Sequence, residues 1–121
     1  MSLRFRPCEH LRRESDFRRV FERRRSVSDD WLIVYACENG LAYSRLGLSV
    51  SRKNGPAVVR NRFRRIYREA FRLKRQELPT GLDLILIPRT PKRPVLTDLQ
   101  ESLLRLVPQA ARRLAKEVKP K

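Results

Sequence analysis

The chain predicts a small α+β fold, a two-layer sandwich of one mixed β-sheet packed with helices in the order α-β-β-α-β-α. Three observations lead there. Trp31–Ala36 (WLIVYA) and Asp83–Pro88 (DLILIP) are short apolar runs with the composition of strands. Ala57–Gln76 (AVVRNRFRRIYREAFRLKRQ) repeats apolar residues at steps of three and four, the period of an amphipathic helix. The 121 residues are also close to the commonest size of a single domain and are enough to bury a core. Residues 1–121 therefore read as one domain, ordered from about 5 to 107, with a basic tail over 108–121.

Residues 1 to 13 are basic and irregular, and Pro7 opposes helix. Ser15 reads as an N-cap, and Asp16 suits the positive end of a helix dipole. Phe17, Val20 and Phe21 then give a helix from about Asp16 to Arg24 one apolar face, bordered by Arg18, Arg19, Arg23, Arg24 and Arg25. Periodicity alone makes the two phenylalanines core anchors. In the first strand Trp31, Ile33 and Tyr35 alternate with Leu32, Val34 and Ala36, and Glu38-Asn39-Gly40 is a turn.

The second strand runs from about Arg45 to Ser51, with Leu46, Leu48 and Val50 on one face and Gly47, Ser49 and Ser51 on the other. That second face is small, polar and open to close approach by a ligand or another chain; the plain alternative is a solvent-facing strand side. Asn54-Gly55 is a turn dipeptide, and Pro56 presets φ at or near the start of the long helix. Leu78-Pro79-Thr80-Gly81 stops that helix. The unbroken apolar run Asp83–Pro88 suits a strand buried on both faces. Arg89–Pro94 (RTPKRP) is a proline-rich basic loop, too stiff for helix or strand. Thr97 and Gln100 form a capping box for a last helix whose apolar face is Leu99, Leu103, Leu106 and Val107. Pro108 is expected to break or kink it.

Charge narrows the partner. Lys and Arg number 29 against 13 Asp and Glu, a net charge of +16 spread over the whole chain. Such a balance favours a polyanionic partner and argues against a free-standing metabolic enzyme. In the long helix Val59, Phe63, Ile66, Tyr67, Ala70 and Leu73 gather on one arc. Asn61, Arg64, Arg65, Arg68, Arg72 and Arg75 gather on the opposite one, with Arg60 and Arg62 on the flanks. A merely solvated face mixes signs to gain i,i+4 pairs, yet Glu69 is the only acid in this run. One side of the helix needs a core and the other a polyanion.

Several chemistries are disfavoured. A metal-dependent nuclease needs converging carboxylates, and here the acids are scattered. The one close pair, Asp29-Asp30, sits in a turn before a strand. His10 is the only histidine, which excludes two-histidine acid–base cleavage of RNA. Cys8, His10 and Cys37 lack the paired spacing of a zinc site, and the two cysteines read as free thiols. There is no Walker motif, nucleophile elbow, signal peptide or apolar run of membrane-spanning length.

Gly47-Leu48-Ser49-Val50-Ser51, followed by Arg60-Asn61-Arg62 and Arg64-Arg65, carries a resemblance. Gly55, Ala57-Val58 and Glu69-Ala70-Phe71 surround that basic core. The SDFxxVF pattern at Ser15–Phe21, the aromatic Tyr35 and the apolar third strand accompany it. From about Phe5 to Val107 the chain resembles the protein component of bacterial ribonuclease P. The resemblance implies a ribonucleoprotein that removes the 5′ leader of precursor tRNA by endonucleolytic cleavage. In it the RNA subunit carries out the Mg²⁺-dependent catalysis, and the protein itself binds no cofactor and has no catalytic residues. Its implied partners are the ribonuclease P RNA and the precursor tRNA with its single-stranded leader. No membrane and no obligate protein partner are implied, and the implied location is cytoplasmic.

By the same resemblance Phe17, Phe21 and Tyr35 line the leader cleft with Ser49, while Lys53, Arg60, Asn61, Arg62, Arg64, Arg65, Arg68 and Arg72 are RNA contacts. For the phenylalanines this cleft reading replaces the core reading, since base stacking on aromatics contributes about 1–3 kcal/mol per base. A left-handed βαβ crossover around the central helix is implied too, against the usual right-handed preference. The chain departs from the family pattern at Pro56, where a polar or small residue is usual. It also lacks, within Arg23-Arg24-Arg25-Ser26, the glycine that often ends the first helix. The competing function is a ribosomal-type structural RNA-binding protein or RNA chaperone with no catalytic assembly, and the RNR motif with the aromatics favours the first. A sequence-specific DNA binder is disfavoured, because no helix-turn-helix pair precedes the basic helix.

Overall fold

A computed structural model describes residues 7–117; Phe5 and the end of the basic tail lie outside the described residues. The main elements are α1 (Glu14–Glu22), β1 (Ser26–Ser28), β2 (Leu32–Glu38), β3 (Arg45–Leu48), α2 (Ala57–Lys74), β4 (Leu82–Pro88) and α3 (Leu96–Glu117). The strands form one mixed sheet in the order β1-β2-β4-β3. β2 runs antiparallel to both β1 and β4, whereas β3 runs parallel to β4 with Gly47 opposite Ile85. Thus β3, α2 and β4 make a βαβ unit whose two strands are immediate neighbours.

The alternation of β2 decides the layers. Leu32, Val34 and Ala36 face the main core with Leu84 and Leu86 of β4, and α2 and α3 cover them. α2 contributes Phe63, Tyr67, Ala70 and Phe71; α3 contributes Leu99, Leu103, Leu106 and Val107. On the opposite face of the sheet, Leu11, Val20, Cys37 and Ile85 form a second, smaller core beneath α1. The predicted strand buried on both faces is therefore β4. The outer edge of β3 is blunted by the N-terminal segment, where His10 bridges to Leu46 and the Leu11 N–H donates to the Leu46 carbonyl at 2.8 Å.

Several local expectations are corrected. α1 begins at Glu14 with extended Arg13 as its N-cap, so Ser15 lies inside the first turn and no side chain caps it. Arg24 supplies the left-handed turn that a glycine would otherwise make, at φ 55°. β1 was not expected; only Val27 of its three residues is buried, too weak a pattern to read from sequence. β3 ends at Leu48, although the Ser49 N–H still donates to the Leu86 carbonyl at 3.0 Å.

In α2 the fully buried residue near the C-terminal end is Phe71, while Leu73 is half-buried. α3 runs unbroken through Pro108 to Glu117, and Thr97 is already its second residue rather than its cap. The proline forfeits one backbone hydrogen bond, but beyond it Ala110 and Leu114 are buried in the main core, and that packing holds the helix together. Residues 108–117 thus belong to the packed fold. The acidic pair Asp29-Asp30 also has a structural use: Asp29 accepts the Trp31 N–H at 2.8 Å and receives Ser102 and Arg105 from α3.

Candidate nucleic-acid interface

The basic face of α2 divides into engaged and disengaged cations. Arg72 donates to both carboxylate oxygens of Glu69, at 2.8 and 2.9 Å. Arg64 donates to Asn61 Oδ1 at 3.1 Å and reaches back to the Val50 carbonyl at 3.3 Å. Arg75 leaves the expected stripe altogether: it turns inward against Glu9 at 2.6 Å, and both side chains are almost buried. Arg62, Arg65 and Arg68 are exposed and make no hydrogen bond or ion pair with another described residue. Arg60 buries its Nε without a hydrogen-bond partner. A groove of about 990 Å³ follows this face, lined in part by Asn61, Arg64, Arg65, Arg68 and Arg72. Unpaired cations on one helix face repel each other, and a polyanion relieves that repulsion.

The predicted aromatic residues also meet. Phe17 and Phe21 project from α1 and Tyr35 from β2, and the Phe21 and Tyr35 rings stand edge to face with centroids 4.9 Å apart. All three rest on the smaller core yet stay half-buried, so each keeps one part of its ring accessible. The phenylalanines are at once anchors of α1 and a surface. The strand face read as open is closed at Gly47, which is buried under Phe17 and Leu11 of the same chain. Ser49 is half-buried just past β3, and Lys53 is exposed on the single turn of 3₁₀ helix at Arg52–Asn54.

A smaller groove, about 390 Å³, connects the two surfaces: Phe17 and Leu48 line it together with His10, Arg12, Arg64 and Arg68. Burial holds the His10 imidazole below its ordinary pKa, helped by the Arg12 and Arg68 charges and opposed by Glu9. His10 and Arg12 were missed by sequence reasoning. Their segment shows no periodicity, and only its docking along β3 brings them to the groove.

A second missed residue is Asp83, which is 0% exposed. Arg45 donates to both of its carboxylate oxygens at 2.8 and 2.6 Å, Asn39 donates at 3.0 Å, and Arg19 of α1 also reaches it. Arg19 further donates to the Glu38 carbonyl at 2.9 Å, and Arg23 pairs with the Glu38 carboxylate at 3.1 Å. These contacts fasten α1 across the sheet and so fix where Phe17 and Phe21 stand relative to Tyr35. Burial alone would raise the Asp83 pKa, but its hydrogen bonds from Arg45 and Asn39 and the two guanidinium charges outweigh it and hold the carboxyl below its ordinary value. The sequence offered one signal, an acid opening an otherwise apolar strand.

Among the described residues there is no cluster of three or more His, Cys, Asp or Glu able to hold a metal ion. No helix among them is long and apolar enough to cross a membrane.

Comparison with known proteins gives a consistent result. The family model described as Ribonuclease P matches residues 5–111. The ribonuclease P protein component of Clostridioides difficile is 38% identical over 105 residues, covering 85% of this chain and 92% of that one. The Thermotoga maritima component is 42% identical over 81 residues, covering 67% and 69%. Among solved structures, the RNase P protein from Thermotoga maritima superposes with a TM-score of 0.72 at 33% identity, over 93% of this chain and 99% of its own. The Staphylococcus aureus RNase P protein gives 0.71 at 33% identity, over 85% and 94%.

Proposed function

This chain belongs to the ribonuclease P protein family, and from that premise we propose how its two surfaces divide the work. It is the protein subunit of ribonuclease P, acting in tRNA 5′ processing with the ribonuclease P RNA as its partner. In our reading the disengaged arginines of α2 hold folded RNA through its phosphates. The half-buried aromatics between α1 and the sheet take the single-stranded 5′ leader of precursor tRNA. The protein contributes no group to bond cleavage; the RNA subunit supplies the Mg²⁺-dependent chemistry.

One observation supports this reading most directly: the groove that joins the cation stripe to the aromatics, lined by Phe17, Arg64 and Arg68. Single strands are held by stacking faces beside a basic track, and folded RNA by backbone cations, and here both sit on one rigid body. Holding the leader and the catalytic RNA together fixes the cleavage site without any protein acid or base, since positioning alone converts an encounter into an intramolecular step. The expected location is that of these RNAs, the cytoplasm.

The test is reconstitution with a bacterial ribonuclease P RNA at low Mg²⁺. The protein should raise precursor-tRNA cleavage there and cleave nothing by itself. Activity without the RNA would overturn the division of labour.

A further inference from the structure

The loop that connects β4 to α3 has no role in either surface described so far. It carries Arg89 at its root and Lys92 and Arg93 between Pro91 and Pro94, and it packs against the first turns of α2. Between them lies a groove of about 140 Å³, lined by Arg62 and Arg93 together with the apolar Val59, Phe63, Pro91 and Pro94. No acid lines it. Arg62, Lys92 and Arg93 are exposed, and none has an ion-pair partner among the described residues.

The loop is built rather than loose. Its root is pinned where the Arg89 N–H donates to the Trp31 carbonyl at 3.2 Å and the Arg89 guanidinium to Ser28 Oγ at 2.6 Å. Thr90 Oγ accepts the Lys92 N–H at 3.3 Å, Pro94 is buried, and the two prolines restrict the backbone further. A cation on a backbone restrained this way loses less freedom on binding than one on a flexible tail.

We propose that this loop and the start of α2 form a second phosphate site, in which Arg62 and Arg93 clasp one phosphodiester of the folded ribonuclease P RNA. The proposal rests on the function given above. Two cations lining one otherwise apolar groove suit an anionic group, because the apolar lining excludes water and strengthens both charge-assisted contacts. A base is not the occupant, for Phe63 is only 3% exposed and offers no ring face for stacking. The leader is not the occupant either. Val59 and Phe63 pack with the main core on the α2 side of the sheet, and the aromatic cleft belongs to the core on the other side. A rigid, fixed wall also suits a structured backbone better than a mobile strand.

Arg93→Ala should leave the melting temperature unchanged and weaken binding to ribonuclease P RNA about tenfold at 0.15 M salt. It should also flatten the log–log salt slope by about one unit. If both arginines hold the same phosphate, Arg62→Ala combined with Arg93→Ala should lose less than the product of the single losses. The preference for precursor over mature tRNA should stay as in the wild type. An unchanged slope or strictly multiplicative losses would overturn the site. So would a loss confined to substrates with long leaders, or displacement of the RNA from the wild type, but not from Arg93→Ala, by poly-glutamate. Failure of the wild type to bind the RNA at all would overturn the underlying function, and that result is distinct from every other.

Discussion

Gly47 and Phe17 compete for one position: a Cβ on residue 47 would lie 2.7 Å from Phe17 Cζ. The glycine on β3 is therefore what lets α1 settle onto the sheet with its first phenylalanine beside the connecting groove. Gly47→Ala should push Phe17 outward and cost about 1–3 kcal/mol of stability by overpacking. Urea unfolding would measure that cost. The same variant should lose affinity for precursor tRNA with a long leader more than for mature tRNA, because Phe17 moves and α2 does not.

Tyr35 meets Phe21 edge to face but is not needed to close the main core. Tyr35→Ala should then reduce binding of long-leader precursor by about 1–3 kcal/mol, the worth of one stacked base, and leave mature tRNA nearly unaffected. Equal losses on both substrates would make Tyr35 a packing residue only.

Removing the buried Asp83 carboxylate strands Arg45 and Arg19. Asp83→Asn should cost about 3 kcal/mol, at the low end for a broken buried pair because both guanidiniums keep some contact with water. The pH dependence carries a definite sign. A carboxyl whose folded pKa is depressed adds stability that is present above its unfolded value, about 3.9, and is lost as pH falls through the folded value. Wild-type unfolding followed below about pH 4 should show this loss, and the Asn variant should show less of it.

Salt titrations should separate the engaged from the disengaged arginines. Arg65→Ala and Arg68→Ala should each flatten the slope of RNA binding by about one unit. Arg72→Ala should flatten it less, since Glu69 already neutralises that guanidinium. Equal effects of all three would mean that Glu69 releases Arg72 on binding.

Arg24 holds a left-handed conformation that costs a side chain about 1–2 kcal/mol. Arg24→Gly should therefore add roughly 1 kcal/mol of stability and raise the midpoint of thermal unfolding, while the lost charge weakens RNA binding at low salt. Calorimetry and filter binding would read the two effects apart.

Much of this architecture was legible because it rests on period. The strands of residues 32–38 and 82–88 and the face of α2 follow from apolar spacing, and the RNR motif with the aromatic pattern pointed to the family. What stayed hidden depends on contacts between distant residues. Nothing local marks Asp83 as the partner of Arg19 and Arg45, or Arg75 as the partner of Glu9 rather than a member of the stripe. Pro108 misled for the same reason, because local chemistry favours a break there and only the burial of Ala110 and Leu114 overrides it. The Gly/Ser face misled in the opposite direction: it does admit a close neighbour at Gly47, but the neighbour is α1.

The order β1-β2-β4-β3 has a kinetic consequence. β3 finds its ladder partner only in β4, so during synthesis it waits, with α2, until residue 88 has emerged. Glu9 waits similarly for Arg75, 66 positions later. Closures over such separations slow folding more than helix formation does, so the half of the sheet nearest the RNA-facing grooves should be the last to assemble. A nascent chain would carry most of its positive charge before it has a shaped surface on which to use it.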